Sequence, residues 1–131
     1  TIRPGAWDAI ARHRDRGDHV VLLTSSSIYM AEAVQGAVDA DDALANMFVI
    51  EDGIFTGKPI EPLCYHRGKI AHASRWAKEH DESLSDAIFY TDSFTDLPML
   101  EVVGEPVAVH PDPRLKREAL KRGWAVQNWG G

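Results

Sequence analysis

Residues 87–96 read AIFYTDSFTD, an apolar run that ends in one aspartate and is followed by a second aspartate four residues later. A short run rich in β-branched and aromatic residues is typical of a buried strand. Asp92 is therefore predicted at the end of a strand, and Asp96 just before a helix that is predicted to begin at Leu97-Pro98. Both carboxylates are expected at the carboxyl edge of a sheet, where open α/β sheets bind ligands.

Two carboxylates that converge on one sheet edge form the hard oxygen environment that Mg²⁺ prefers, with several water ligands retained. A simpler interpretation makes Asp96 the cap of the following helix, a role worth about 0.5–2 kcal/mol. That interpretation explains Asp96 but gives no reason for an aspartate at position 92. The pattern therefore predicts a Mg²⁺ site at Asp92 and Asp96, and helix capping is the alternative for Asp96.

The rest of the chain alternates between strand-like and helix-like segments, which favours an α/β fold with a mostly parallel sheet. We expect a three-layer, Rossmann-like core with a small β-hairpin at residues 47–56, whose predicted turn is Asp52-Gly53. The predicted strands are residues 19–24, 87–91, 106–109 and 124–126. The predicted helices are residues 4–16, 28–38, 68–80, 98–103 and 112–122.

The composition of the 131 residues indicates one domain, residues 1–131, and limits its partners. The formal net charge is -6, which disfavours binding to nucleic acid or to an anionic membrane. No stretch approaches the roughly 20 apolar residues that cross a bilayer. The single cysteine, Cys64, cannot form an internal disulfide, so a cytoplasmic location is predicted.

A second chemical signal lies in residues 20–27, which read VVLLTSSS, an apolar strand that leads through hydroxyl residues into a predicted helix. Hydroxyls and unpaired N–H groups at a helix N-terminus satisfy phosphate oxygens, and the helix dipole adds to the attraction. Thr24 and Ser25 are therefore candidate phosphate-binding residues. The alternative makes Ser27 an ordinary helix cap and the other hydroxyls loop residues.

A third signal is Lys69, in the first turn of the predicted helix 68–80. A cation at this position opposes the helix dipole, at a cost of roughly a few tenths of a kcal/mol. The same position directs the ammonium group toward the sheet edge that is predicted to hold the aspartates, where it could neutralise phosphate charge. A lysine in solvent is the alternative.

In chain order, Thr24, Lys69, Asp92 and Asp96 resemble motifs two, three and four of the haloacid dehalogenase superfamily. Residues 87–113, AIFYTDSFTDLPMLEVVGEPVAVHPDP, look like the acidic motif of its phosphoserine-phosphatase-like branch, with the helix, strand and Pro-Asp-Pro turn that follow it. The resemblance covers nearly the whole chain. It implies a phosphatase core that uses Mg²⁺ to hydrolyse a small phosphorylated metabolite through an aspartyl-phosphate.

The resemblance also implies a role for each residue. Thr24 would bind the transferring phosphoryl group, assisted by the backbone of Ser25. Lys69 would hold the phosphate and the nucleophile. Asp92 would ligate Mg²⁺ directly, and Asp96 would hold the ion through water or a neighbouring ligand.

The chain departs from the superfamily pattern in two respects. Catalysis there requires an Asp-x-Asp pair at the end of an upstream strand, in which one acid attacks phosphorus and the other acts as acid/base. Residues 39–42, DADD, contain that spacing but follow a predicted helix, so we interpret them as a polar turn. We therefore expect the nucleophile strand and the small helical cap in an upstream segment, or in another chain that completes the sheet. Some members place the lysine two residues earlier, which makes Arg67 an alternative to Lys69.

Two other classes of function are weighed against the phosphatase. Without a nucleophile segment the chain would be a non-catalytic module that binds phosphate and metal, and the isolated chain is in any case expected to be inactive. Signalling receiver domains use similar side chains on a parallel sheet. In receivers the acids come first and the lysine last, whereas here Thr24 and Lys69 precede Asp92 and Asp96, which argues against that class.

Overall fold

A computed structural model describes residues 2–46, 48–51, 54–59 and 63–130. Helices and strands alternate along this part of the chain, except that consecutive strands lie between residues 42 and 59. None of the helices in the described residues is long and apolar enough to cross a membrane. The predicted hairpin turn, Asp52-Gly53, lies outside the described residues.

The helices are found within one residue of their predicted bounds. The described part of the chain contains α1 (Pro4–Asp15), α2 (Ile28–Val38), α3 (Arg67–Glu79), α4 (Leu97–Val102) and α5 (Pro113–Arg122). Proline occupies the first turn of α1, α4 and α5, where its missing N–H has no helical partner to lose. Gly123 follows α5 with a left-handed φ of 73°, which glycine adopts without steric cost.

The strands confirm the α/β class and its mostly parallel pairing. They are β1 (Val21–Ser27), β2 (Asp42–Asn46), β3 (Phe48–Glu51), β4 (Ile54–Pro59), β5 (Ile88–Thr91), β6 (Glu105–Val109) and β7 (Ala125–Gln127). β1 pairs with β2 in parallel, and β5, β6 and β7 form a second parallel sheet in that order. β3 and β4 pair antiparallel, which confirms the predicted hairpin.

The helices cover both faces of the parallel strands. Neighbouring strand residues point to opposite faces. In β1, Leu22 packs with α2, whereas Leu23 packs against a cluster of α3 and α4 residues. In β5, Phe89 packs against that same cluster, whereas Tyr90 bonds to His13 of α1. Thus α1 and α2 lie on one face and α3 and α4 on the other, which gives the three layers that were predicted.

The parallel strands form two sheets instead of the single sheet that was expected. Within the described residues, β1 is hydrogen-bonded only to β2, and β5 only to β6. A cavity of about 310 Å³ separates β1 from β5, and Leu23, Ala73, Phe89 and Met99 are among the apolar residues that line it. We call this cavity the interstrand groove. Each of its two walls carries a strand edge without a ladder partner in the described part of the chain.

Two local predictions were inaccurate in the region of β1 and β2. β1 continues to Ser27, beyond the strand end predicted at Thr24, and its register with β2 shifts between Leu23 and Ser27. β2 was not predicted at all, because DALAN contains no β-branched or aromatic residue. Parallel pairing with β1 and packing on α2 form this strand in spite of its low propensity.

Candidate active site

A buried ion pair joins α3 to the segment that follows β5. Lys69 Nζ lies 2.7 Å from Asp96 Oδ1, and each side chain is only 7% exposed. Two charges removed from water in this way are stable only when they are paired and hydrogen-bonded. Lys69 therefore points into the protein, and the alternative of a lysine in solvent is wrong.

Asp96 uses its second carboxylate oxygen as well. Thr91 Oγ1 donates to Asp96 Oδ2 at 2.6 Å, and the Ser93 N–H donates to Thr91 Oγ1 at 3.2 Å. The Asp96 side chain makes no capping bond to α4. Its carboxylate thus holds Lys69 and Thr91 in place, and the capping alternative for Asp96 is wrong.

The start of α3 brings Lys69, not Arg67, to this network. A Cβ atom on Gly68 would overlap the carbonyl oxygen of Leu63, so the chain can pack this closely only at a glycine. Arg67, which precedes Gly68 in the chain, is exposed. The geometry favours Lys69 over Arg67 for the role that the resemblance assigns to a lysine.

Asp92 is exposed at the carboxyl end of β5. No residue of the described ranges forms a hydrogen bond or ion pair with its carboxylate. A carboxylate with available lone pairs suits a hard cation such as Mg²⁺. The described residues contain no group of three or more His, Cys, Asp or Glu side chains that could hold a metal ion, so Asp92 can supply only part of a coordination sphere.

Cys64 connects the Thr24 segment to the ion pair. Burial raises the pKa of the Cys64 thiol, although the nearby Lys69 ammonium and a hydrogen bond with the Thr24 backbone oppose that rise. The Cys64 side chain is fully buried. Thr24, Lys69 and Asp96 are therefore brought to the same region of the molecule, and Ser25 follows Thr24 at an exposed position.

The opposite ends of β1 and β5 are also neighbours. His19 Nδ1, two residues before β1, lies 3.2 Å from Glu82 Oε1, which precedes β5. Since the amino ends approach each other here and the carboxyl ends approach each other near Lys69, the two strands run in the same direction. The candidate site thus lies at the carboxyl edge of both sheets, where ligands of α/β folds bind.

Sequence reasoning missed two members of this site. Thr91 looked like the last residue of a strand, and only its contact with Asp96 shows that its hydroxyl is used. Cys64 was considered only as an unpaired thiol, and its place beside Lys69 depends on how the segment before α3 folds. Neither residue has a spacing in the sequence that would have marked it.

The described residues thus form an open parallel α/β core with a threonine, a lysine and two aspartates at its carboxyl edge. The family profile of haloacid dehalogenase-like hydrolase matches residues 1–101. The chain belongs to this family, as the sequence predicted.

Relatives of this chain include phosphatases. It is 38% identical over 121 residues to a probable phosphatase of Mycobacterium tuberculosis, covering 92% of this chain and 42% of that protein. It is 34% identical over 129 residues to a phosphoserine phosphatase of the same organism, covering 98% of this chain and 42% of that protein. These matches confirm the phosphoserine-phosphatase-like branch. The chain spans less than half the length of these curated relatives.

A solved structure agrees with the fold. The crystal structure of a protein with unknown function from Bordetella pertussis Tohama I superimposes with a TM-score of 0.87 at 29% identity. The match covers 93% of this chain and 56% of that one. The fold of the described residues is therefore shared with about half of that longer protein.

Proposed function

We propose that this chain is the phosphate- and metal-binding part of a phosphatase that hydrolyses a small phosphomonoester. The observation that carries the proposal is the buried pair of Lys69 and Asp96 next to the exposed carboxylate of Asp92. The phosphatases among its relatives support the same activity.

Lys69 is suited to hold phosphate because its position is fixed while part of its donor capacity remains. An ammonium group has three N–H donors, and Asp96 accepts one of them. The others would bind a phosphate oxygen and the attacking carboxylate. Thr24 and the Ser25 N–H would bind further phosphate oxygens. Donors fixed in advance at a site that excludes water stabilise developing charge more than mobile ones do.

Mg²⁺ fits the residues of this chain in part. Asp92 would hold the ion directly, because its carboxylate has no partner among the described residues. Asp96 would act indirectly, since its two oxygens are bonded to Lys69 and Thr91. Bound Mg²⁺ would neutralise charge on the phosphate. The remaining ligands would come from the segment that supplies the nucleophile.

That segment is proposed to occupy the interstrand groove between β1 and β5. A strand in this groove would pair with β1 on one side and β5 on the other and join the two sheets into one. If it runs parallel to its neighbours, its carboxyl end lies beside Thr24 and Asp92. An Asp-x-Asp pair at that end would face the phosphate bound by Lys69.

The chemistry then follows from the two acids. One carboxylate attacks phosphorus as the bond to the leaving oxygen breaks, and the second acid protonates that oxygen. Water hydrolyses the resulting aspartyl-phosphate, with the second acid acting as base. This chain holds and neutralises the phosphoryl group in both steps, which explains why the isolated chain is expected to be inactive.

A non-catalytic module that binds phosphate and metal is the second candidate. Asp92, Lys69 and Asp96 lie together in the described residues, but no Asp-x-Asp pair follows a described strand.

Substrate identity would be set by the cap, and phosphoserine is the nearest named candidate because of the relative that is a phosphoserine phosphatase. The cytoplasmic location remains a prediction from the single cysteine.

Mg²⁺ is expected to bind weakly to the isolated chain at Asp92. At millimolar Mg²⁺, amide NMR signals of residues 91–94 should shift, because a carboxylate with free lone pairs and retained water suits this ion. Asp92→Asn should remove the response. Asp86→Asn is the matched control, since Asp86 is an exposed aspartate at the other end of β5. Unchanged signals around Asp92, or equal losses in both variants, would contradict the metal assignment.

Inorganic phosphate is expected to bind between Thr24, Ser25 and Lys69. A phosphate titration followed by amide NMR should shift residues 24–26 and 68–70. Thr24→Val, which keeps the side-chain shape but removes the hydroxyl, should weaken binding about 10-fold, because hydrogen bonds to charged groups are among the stronger ones. Shifts confined to the basic helix α5 would show that phosphate binds there and would contradict the site proposed at Thr24, Ser25 and Lys69.

A further inference from the structure

The turn between β6 and α5 is hydrogen-bonded to the backbone on either side of the loop that begins at Asp92. The Asp112 N–H donates to the Asp92 carbonyl at 2.9 Å, and the Phe94 N–H donates to Asp112 Oδ2 at 2.8 Å. One residue of this turn therefore bonds the loop on both sides of Ser93. Its two bonds restrain the end of β5 at the point where the candidate metal ligand projects.

The turn itself is anchored in the core. Leu115, in the first turn of α5, is fully buried and packs with Leu100 and Ala108, and Phe94 lies against the same cluster. The Arg114 guanidinium lies 4.1 Å from the centroid of the Phe94 ring. The hydrogen bonds of Asp112 therefore link the loop to α5, a helix that cannot shift without disturbing the core.

A helix cap alone does not account for this geometry. Asp112 caps α5 with one oxygen, Oδ1, which accepts the Leu115 N–H at 2.8 Å. The other oxygen bonds Phe94, which belongs to the loop and not to α5. The side chain therefore has one oxygen for the helix and one for the loop.

We infer that Asp112 is a positioning residue that fixes the loop of residues 92–94 and so sets the direction of the Asp92 carboxylate for metal binding. This inference rests on the proposed function, because it assigns Asp112 a task only if Asp92 binds a metal. The bonds of Asp112 to the loop do not depend on that assumption.

The test compares Asp112→Asn with the wild-type chain. Asparagine has nearly the same shape and caps helices as well as aspartate, but it offers one acceptor oxygen in place of the two that bond Leu115 and Phe94 separately. Ser83→Ala is the matched control, because it removes a side-chain cap from the short turn at the other end of β5. Amide hydrogen exchange at Phe94 and Leu115 and the Mg²⁺ midpoint at Asp92 are measured for all three proteins.

Asp112→Asn should increase the exchange rate at Phe94 clearly more than at Leu115 and should weaken Mg²⁺ binding about 10-fold, the size of effect seen when partners of metal ligands are removed. Ser83→Ala should leave both quantities within about 2-fold of wild type, since surface changes far from a site are usually small. Unchanged exchange at Phe94, or faster exchange with unchanged Mg²⁺ affinity, would overturn the inference. A wild-type chain with no Mg²⁺ response would overturn the metal role of Asp92, and the exchange data would still show whether Asp112 holds the loop.

Discussion

Lys69→Met is expected to lower the free energy of unfolding by about 3–5 kcal/mol, because it leaves the buried carboxylate of Asp96 without its ionic partner. Among the described residues, the Asp96 side chain would then keep only its bond from Thr91. Methionine fills much of the space of the lysine stem, so most of the loss should come from the uncompensated charge and little from packing. Urea unfolding followed by tryptophan fluorescence measures the change.

Two further variants show whether the ion pair is the cause. Arg67→Met, two residues earlier on the exposed surface, should change the free energy of unfolding by less than about 0.5 kcal/mol. The double variant Lys69→Met with Asp96→Asn should be more stable than Lys69→Met alone, because no buried charge remains. Equal effects of Lys69→Met and Arg67→Met would show that Lys69 is not held as described.

The strand that carries Asp92 and the helices around it could be predicted because their signals are local. Apolar runs marked β5 and β6, and Pro98 marked the start of α4. The aspartate at the end of β5 then followed from strand geometry alone. Pairing between distant segments has no such signal, which is why β2 was missed.

The network around Asp96 could be predicted only in part. The sequence placed Lys69 and Asp96 at one edge of the sheet, but two interpretations of each residue remained. Only the burial of the two side chains and the distance between them distinguished these interpretations. The interaction of Thr91 with Asp96 and the double use of Asp112 depend on loop conformations that set which hydrogen bonds form. Those conformations are decided by tertiary packing, so residue spacing alone does not reveal them.

A further strand was expected from the sequence, but its position was not. Because no Asp-x-Asp pair follows a predicted strand, the nucleophile strand was expected in an upstream segment or in another chain that completes the sheet, and nothing in the sequence indicated where it would lie. In the described residues, β1 and β5 run in the same direction on either side of an apolar cavity and are not hydrogen-bonded to each other, which supports the proposal that such a strand lies between them. An unpaired strand edge readily accepts another strand.

We propose that this chain binds the phosphate and the metal while another segment supplies the nucleophile. Hydrolysis of p-nitrophenyl phosphate tests this proposal most directly. Turnover by the purified chain is compared with turnover after co-expression with the polypeptide encoded immediately upstream of Thr1. The complemented protein should be at least about 10³-fold more active, because a nucleophile that forms the covalent intermediate supplies a large share of the rate. Asp92→Asn should lower that activity strongly, and Asp15→Asn, at an exposed position of α1 outside the interstrand groove, should not. Substantial turnover by the chain alone, abolished by Asp92→Asn, would contradict the account, and no turnover after complementation would favour the binding module.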